Sequence, residues 1–198
     1  MSDCIVCLVG RSGSGKTTIA YKLHDDFGYN IIESYTTRPP RYEGEKGHTF
    51  VENLPLPIKN WAMNDDVIAF NIYNDNAYWA TRKQYQGKGV SIYVVDIVGA
   101  NMLRNKVDDA DILVIALFAD EFTRYDRLWE RETGKLDKQS QTHKTLREID
   151  DEIDQRVKSD RPIFSMVPCD YAIDANYSVP LVASMISSII YERRCGDA

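Results

Sequence analysis

The chemistry of this chain is first indicated by the stretch GRSGSGKTT, which runs from Gly10 to Thr18 directly after the apolar run Cys4 to Val9. The stretch matches the pattern G-x-x-x-x-G-K-[ST] in the context that the pattern requires, a predicted strand before it and a predicted helix after it. Glycines allow the backbone to curl so that successive N–H groups point inward, and the following helix adds its positive dipole end. The stretch therefore predicts a loop that binds the phosphates of a nucleoside triphosphate.

Two side chains of this loop have predicted roles in charge neutralisation. Lys16 is expected to lie between the β- and γ-phosphates, and the hydroxyl group of Thr17 is expected to bind Mg²⁺. These two groups define a triphosphate site, but they do not determine where the γ-phosphoryl group goes. The residues predicted to bind the triphosphate are Gly10, Arg11, Ser12, Gly13, Ser14, Gly15, Lys16, Thr17 and Thr18.

Two further strings match motifs of GTPases, one of which binds guanine in small G proteins. Asp96 to Gly99 matches D-x-x-G, and Asn105 to Asp108 matches N-K-x-D. In small G proteins the N-K-x-D loop follows a separate strand well downstream of D-x-x-G, whereas only five residues separate Gly99 from Asn105 here. Those five residues are predicted to be helical, so Asn105 and Asp108 could not reach a base beyond another strand. The spacing therefore argues against a GTPase.

A second predicted anion site lies in SYTTRPPR, Ser34 to Arg41, at the exit of the second predicted strand. Arg38 and Arg41 are three residues apart in a segment stiffened by two prolines, and guanidinium groups bind phosphate oxygens through paired hydrogen bonds. Ser34, Thr36 and Thr37 add hydroxyl donors. A kinase whose acceptor already carries a phosphate needs such a site in addition to the triphosphate loop.

Taken in order along the chain, these motifs resemble the guanylate kinase family. The loop is followed by SYTTRPPRYEGEKG, close to the family's S-x-T-T-R-x-P-R-x-G-E-x-x-G, and later by Arg127-Leu128-x-x-Arg131-x-Thr133, like the family's R-L-x-x-R-x-T. The resemblance covers most of the chain. It implies an ATP- and Mg²⁺-dependent nucleoside monophosphate kinase, acting on GMP or dGMP by family default. The implied structure is an α/β P-loop kinase fold, with a parallel core sheet flanked by helices.

The resemblance also implies which residues act. Arg131 and a lid arginine, best matched by Arg156, would converge on the transferring group, with Arg147 and Arg161 as the other lid candidates. Asp96 would lie near Mg²⁺ and the acceptor. By position, the implied catalytic residues are Lys16, Arg38, Arg131, Arg156 and Asp96, and the implied acceptor-binding residues are Ser34, Arg38, Arg41, His48, Ala69, Tyr78, Ala80 and Asp96.

The chain departs from the family where guanine would be bound. The family's base-binding glutamate falls at Ala69, its base-facing hydroxyl at Ala80, and the tyrosine before its F-V pair at His48. A site built to hydrogen-bond a base edge discriminates strongly, so loss of those partners removes the discrimination. Nearby residues that could substitute are Asn71, Asn74, Asp75, Asn76, Trp79 and Thr81.

Other functions stay open at this point. The acceptor could be a modified or pyrimidine deoxynucleoside monophosphate, or ribose 1,5-bisphosphate, because relatives of guanylate kinase that phosphorylate a ribose bisphosphate keep the phosphate loop and lack the guanine contacts. A non-catalytic, guanylate-kinase-like binding module is disfavoured. Such modules typically have degraded phosphate loops, and the loop around Lys16 is complete.

The order of predicted elements indicates how these residues are positioned. Strand-like and helix-like segments alternate, which is typical of a parallel sheet with helices on its faces. We expect one domain with a core of residues 1–33, 82–131 and 157–198, a substrate-binding arm of loops and short strands at 34–81, and a lid at 132–156. The predicted core strands are 4–9, 29–32, 90–95, 112–118 and 171–173, and the predicted helices are 17–27, 100–106, 122–131, 146–158 and 179–191.

Composition disfavours several other classes. The chain has 198 residues, a net charge of −6 and 43% hydrophobic residues, which favours a soluble globular protein whose field repels nucleic acid. No apolar run approaches the roughly 20 residues that span a bilayer, and no signal-peptide pattern is present. We therefore expect a cytoplasmic protein without a membrane partner, either a monomer or a homodimer. Cys4 and Cys7 have C-x-x-C spacing, but their place in an apolar strand favours packing over metal binding.

Overall fold

The structure is a computed structural model that describes residues 2–40, 43–55, 60–73, 75–134 and 145–195. The strands are β1 (Asp3–Val9), β2 (Asn30–Ile32), β3 (Ser34–Thr36), β4 (His48–Phe50), β5 (Val67–Tyr73), β6 (Asn76–Thr81), β7 (Val90–Val94), β8 (Ala110–Phe118) and β9 (Tyr171–Asp174). The helices are α1 (Lys16–Phe27), α2 (Ile97–Lys106), α3 (Glu121–Thr133), α4 (Leu146–Ile163) and α5 (Val179–Cys195), with single 3₁₀ turns at Trp61–Met63 and Arg82–Gln84.

The core is a five-stranded, wholly parallel sheet in the order β2-β7-β1-β8-β9. Helices α1 and α5 cover one face of this sheet, and α2 covers the other. Because successive side chains of a strand point to opposite faces, Cys4 packs on the α1 side and Cys7 on the α2 side. The two thiols therefore face apart, and the predicted α/β fold with a parallel core sheet is confirmed.

The carboxyl ends of the parallel strands meet at one edge of the core sheet, where open α/β sheets bind ligands. The phosphate loop begins at Gly10, directly after β1, and the arm begins at Ser34, just after β2. Asp96 follows β7 at the same edge. The fold thus brings the segments singled out by sequence to one side of the sheet.

The arm contains a second, four-stranded sheet in the order β4-β3-β6-β5. It is more regular than the predicted loops and short strands, since β5 and β6 form a hairpin of seven and six residues. Phe70 and Trp79 form a small core of the arm with Val67 and Ala77, and Trp79 stacks on Tyr35. Residues Val67 to Phe70 of β5 are buried on both faces, so the polar alternation that would have marked a strand is absent there.

Helix α4 is longer than the predicted 146–158 and continues to Ile163 through Pro162. A proline in the last turn removes only one helical hydrogen bond, which explains why the helix ends one residue later rather than before it. The predicted lid boundary at residue 156 therefore lies inside a continuous helix. Within the described residues, no helix is long and apolar enough to cross a membrane.

Lys106, the lysine of the N-K-x-D string, has a structural role at the end of α2. Its Nζ donates to the carbonyl oxygens of Trp61, Asn64 and Val67 at 2.9 to 3.2 Å. These three carbonyls belong to the arm, so the ammonium group links the arm to the core. This arrangement gives Lys106 a role that does not involve guanine.

Replacement of Lys106 with methionine is expected to lower the free energy of unfolding by about 1–3 kcal/mol, because three carbonyl oxygens would lose a charged donor. Urea unfolding measures the change. Lys88→Met is the matched control, since Lys88 is exposed, and it should change the free energy by less than about 0.5 kcal/mol. Equal effects of the two substitutions would contradict the structural role of Lys106.

Candidate active site

The phosphate loop has a backbone shape that favours glycine at two positions. Gly13 has a φ angle of +79° and Gly15 of +88°, both in the left-handed region. A Cβ atom at Gly13 would lie 2.5 Å from the backbone oxygen of Arg124 in α3. The loop therefore packs directly on the backbone of α3, and no side chain fits between them.

Lys16, the first residue of α1, directs its ammonium group into the loop. Its Nζ donates to the carbonyl oxygens of Gly10, at 2.7 Å, and Arg11, at 3.1 Å. Removal from water is the main effect on this side chain and lowers the pKa of Lys16 to about 8. Phosphate oxygens are acceptors that could replace these carbonyls and stabilise the charged form.

Arginines from two helices share this end of the site. Arg156 of α4 donates from Nε to the Ser12 hydroxyl at 2.9 Å, and Arg131 of α3 forms an ion pair with Glu132 at 2.8 Å. Burial has the largest effect on the pKa of Lys16, and the carboxylate of Asp160 has the next largest. The positive charges of Arg156 and Arg131 follow, and both lower this pKa. Lys16, Arg131 and Arg156 all line the same cavity.

Among the three lid arginines proposed from sequence, Arg156 lines the cavity that contains the loop. Arg161 forms a surface ion pair with Glu121 at 2.7 Å, and Arg147 is exposed in the first turn of α4. Neither of these two lines the cavity. The structure therefore favours Arg156 as the lid arginine.

Arg127 lines the cavity too, although no role was predicted for it. Its two Nη atoms donate to the carbonyl oxygens of Gly13, at 3.4 Å, and Ala175, at 2.8 Å. Arg127 precedes Arg131 by four residues in the R-L-x-x-R string, and residues with this spacing lie on one face of a helix. That spacing is the sequence signal that could have identified Arg127.

The arm supplies the opposite wall of the site. Arg38 forms a two-pronged ion pair with Glu45, at 2.8 and 3.2 Å, and its guanidinium group lies 5.3 Å from the centre of the Phe50 ring. The pKa of Arg38 is raised overall. Burial acts to lower this pKa, and the interactions with Glu45 and Tyr78 together outweigh the effect of burial. His48 meets the Tyr78 ring edge-on at 5.6 Å. These contacts hold Arg38 charged and oriented.

One cavity of about 960 Å³ joins the two walls. The predicted residues that line it are Ser12, Gly13, Ser14, Gly15, Lys16, Thr17, Thr18, Arg38, His48, Tyr78, Arg131 and Arg156. Its lining also includes Tyr21, Glu45, Lys46, Tyr73, Asn76, Arg127 and Tyr177. Gly10 and Arg11 belong to the loop but do not line the cavity. The phosphate loop and the arm therefore face the same space.

Ala69 and Ala80 do not line this cavity, contrary to the expectation that they face the base of the acceptor. They are paired across β5 and β6 and are 3% and 0% exposed. A Cβ atom at Gly99 in α2 would lie 3.7 Å from that of Ala69. The small side chains let the hairpin pack closely against the core, which explains alanine at both positions.

Ser34 and Asp96 also lie outside the cavity lining, which differs from their predicted contact with the acceptor. The Ser34 hydroxyl is buried and lies 3.0 Å from the hydroxyl of Tyr93. Asp96 caps α2 by accepting from the Gly99 N–H at 2.6 Å, and it also accepts from the Asn71 side chain. Both side chains have structural partners, so their positions need no ligand.

The residues considered as substitutes for base contacts occupy different places. Asn76 lines the cavity, whereas Trp79 is 3% exposed in the core of the arm. Asn74 lies outside the described residues, and so does Arg41, which was predicted to bind the acceptor phosphate. Among the described candidates, Asn76 is thus the one placed to contact an acceptor.

Thr17 is the residue of the loop that fits Mg²⁺. Its side chain is exposed and lines the cavity, and a hydroxyl oxygen is a hard donor of the kind that Mg²⁺ prefers. Over the described ranges, no group of three or more His, Cys, Asp or Glu side chains could hold a metal ion. This donor set suits an ion held mainly by phosphate oxygens and water.

Similarity to known proteins agrees with these features. The chain is 27% identical over 163 residues to a guanylate kinase of Campylobacter jejuni (strain RM1221), which covers 77% of this chain and 76% of that relative. It is 25% identical over 119 residues to a guanylate kinase of Nitrosomonas europaea, covering 57% of this chain and 59% of that relative. No family model matches the chain.

A solved structure has the same architecture. A guanylate kinase from Anaplasma phagocytophilum superimposes with a TM-score of 0.58 at 19% identity, covering 98% of this chain and 87% of the other. The parallel sheet, its flanking helices and the phosphate loop define a P-loop kinase fold. Within that class, the chain is guanylate-kinase-like in both sequence and structure.

Replacement of Gly13 with alanine is expected to lower the free energy of unfolding more than Gly87→Ala does. Gly87 also has a positive φ, +72°, but no atom lies within 4 Å of its added Cβ, so its cost is backbone strain of about 1–2 kcal/mol. At Gly13 the backbone of α3 must also shift, which adds about 1–3 kcal/mol. Urea unfolding of both variants measures the difference, and equal costs would contradict the close contact.

Proposed function

We propose that this protein transfers the γ-phosphoryl group of ATP to the phosphate of a nucleoside monophosphate, forming ADP and a nucleoside diphosphate. The observation that carries the proposal is one cavity with the phosphate loop and Lys16 on one wall and Arg38 of the arm on the other. Two anion-binding features that face one space allow two phosphorylated substrates to meet in line. The similarity to bacterial guanylate kinases supports this choice of reaction.

On the donor side, the loop and the start of α1 would hold the phosphates of ATP through backbone N–H groups. Lys16 Nζ would exchange the carbonyl oxygens of Gly10 and Arg11 for phosphate oxygens. The Thr17 hydroxyl fits Mg²⁺, which when bound with ATP would neutralise phosphate charge. These residues would fix the γ-phosphorus at the end of the loop that faces the arm.

For the transfer itself, Arg131 and Arg156 would contact the equatorial oxygens of the transferring group from the side of α3 and α4. Phosphoryl transfer needs in-line positioning and charge neutralisation rather than a covalent intermediate, and two guanidinium groups supply both. We assign no catalytic role to Asp96, because its carboxylate caps α2 outside the cavity lining.

On the acceptor side, Arg38 is the described group best suited to a phosphate dianion. Its ion pair with Glu45 leaves the guanidinium group charged and at the cavity surface, beside Tyr78 and His48. The acceptor phosphate would share or replace the Glu45 contact. GMP and dGMP are the first acceptors to test, because the similar relatives are guanylate kinases.

A second candidate keeps the reaction but changes the acceptor. Among the described residues that line the cavity, the carboxylates are Glu45, which is paired with Arg38, and Glu130. Guanine needs an acceptor for its N1–H and exocyclic amine, and Ala69 and Ala80 are buried elsewhere. This observation favours a modified or pyrimidine deoxynucleoside monophosphate, or ribose 1,5-bisphosphate, over strict GMP recognition.

The proposal is tested by measuring ADP release with ATP and Mg²⁺ against each common ribo- and deoxynucleoside monophosphate and ribose 1,5-bisphosphate. We expect turnover with at least one nucleoside monophosphate, and a loss of about 10²-fold or more in Lys16→Ala. Turnover with ribose 1,5-bisphosphate alone would select the second candidate. Tight binding of ATP without turnover of any acceptor would overturn the proposed reaction and favour a binding role.

The affinity for ATP is expected to fall above pH 8. The pKa of Lys16 is lowered to about 8 in the free protein, and bound phosphates favour the charged form, so binding takes up a proton at higher pH. The dissociation constant should then rise by up to about tenfold per pH unit. Titration calorimetry from pH 7 to 9.5 measures this. Lys16→Arg, which stays charged, should bind with little pH dependence, and equal slopes would contradict the assignment.

A further inference from the structure

Ser12, in the phosphate loop, uses all three of its hydrogen-bonding groups on helices α3 and α4. Its N–H donates to Asp160 Oδ2 at 2.6 Å, and its hydroxyl oxygen accepts from Arg156 Nε at 2.9 Å. Its carbonyl oxygen accepts from Arg124 Nη1 at 3.2 Å. These partners lie 112 to 148 positions away in sequence. The loop is therefore attached to both helices through one residue.

Arg124 is buried behind the loop, where removal of its charge from water costs free energy. Its side chain is 1% exposed, and its Nε and Nη2 atoms have no hydrogen-bond partner among the described residues. The nearest carboxylates belong to Glu121, at 3.7 Å, and Asp160, at 3.8 Å. A buried guanidinium group with unsatisfied donors is a poor source of stability. Its position therefore points to a role other than packing.

Asp160 and Arg156 are one helical turn apart in α4 and lie on the same face of that helix. Asp160 is 9% exposed and contacts the loop backbone, whereas Arg156 lines the cavity. The carboxylate bond to the Ser12 N–H fixes the rotation and height of α4 against the loop. The guanidinium group of Arg156 donates to the hydroxyl of the same residue, Ser12.

We propose that Asp160 and Arg124 are positioning residues that hold Ser12 and, through the Ser12 hydroxyl, direct Arg156 at the phosphate of ATP. The charge of Asp160 acts to raise the pKa of Lys16, against the larger lowering by burial. The inference rests on the proposed function for its effect on turnover, but its effect on ATP binding is independent of any acceptor.

The first test compares Asp160→Ala with Asp154→Ala. Asp154 lies in the same helix and pairs with Lys158 on the surface, so its substitution is the matched control. We expect Asp160→Ala to weaken binding of ATP with Mg²⁺ by about tenfold and to lower kcat by about 10- to 100-fold, as loss of a supporting contact does. The control should change neither by more than about twofold.

The second test is a double-mutant cycle with Arg156→Ala. If Asp160 acts through Arg156, Asp160→Ala should lower kcat by less than about threefold in the Arg156→Ala background. A loss of the same size in both backgrounds would overturn the positioning role. A purely structural role of Asp160 would give that independent loss, so the cycle separates the two explanations.

Asp160→Ala removes one of the two carboxylates near the buried Arg124 and could prevent folding. The double variant Arg124→Met/Asp160→Ala removes both charges together, and such replacements are usually tolerated. We expect a folded protein with the same loss of ATP affinity, and wild-type affinity in this variant would overturn the proposal. If wild-type protein binds ATP but phosphorylates no acceptor, the proposed function fails, whereas the loss of ATP affinity still supports the positioning role.

Discussion

The direct contact between the phosphate loop and the backbone of α3 is the constraint on which the rest of the site depends. Because Gly13 lies against the carbonyl oxygen of Arg124, the loop cannot shift unless α3 shifts with it. The same helix carries Arg127 and Arg131 to the cavity. One backbone contact therefore sets the distance between the loop and two of the positive charges that face it.

The positive charges of the cavity are each held by a group of the protein itself. Lys16 donates to loop carbonyls, Arg38 is paired with Glu45, and Arg156 donates to the Ser12 hydroxyl. These partners keep the side chains oriented. In the proposed function, binding of a phosphate would exchange these partners for phosphate oxygens, and the side chains are already oriented for it.

The sequence predicts the parts of this protein that depend on local patterns. The glycine-rich loop before Lys16 and the alternation of strands and helices were sufficient for the parallel sheet and for the edge where the loop lies. The sequence did not predict that Ala69 and Ala80 are buried in the core, because side-chain direction depends on how the hairpin packs against α2. The contact of Asp160 with the loop spans 148 positions, and no local signal predicts such a pairing.

The most direct test of the central claim, that one cavity holds two phosphorylated substrates end to end, is the affinity of a bisubstrate analogue. In such a compound five phosphates join adenosine to guanosine, uridine or thymidine. We expect at least one analogue to bind about 10²-fold more tightly than ATP, with Lys16→Ala and Arg38→Ala each weakening it. Binding no tighter than that of ATP for every analogue, with no effect of Arg38→Ala, would contradict the account.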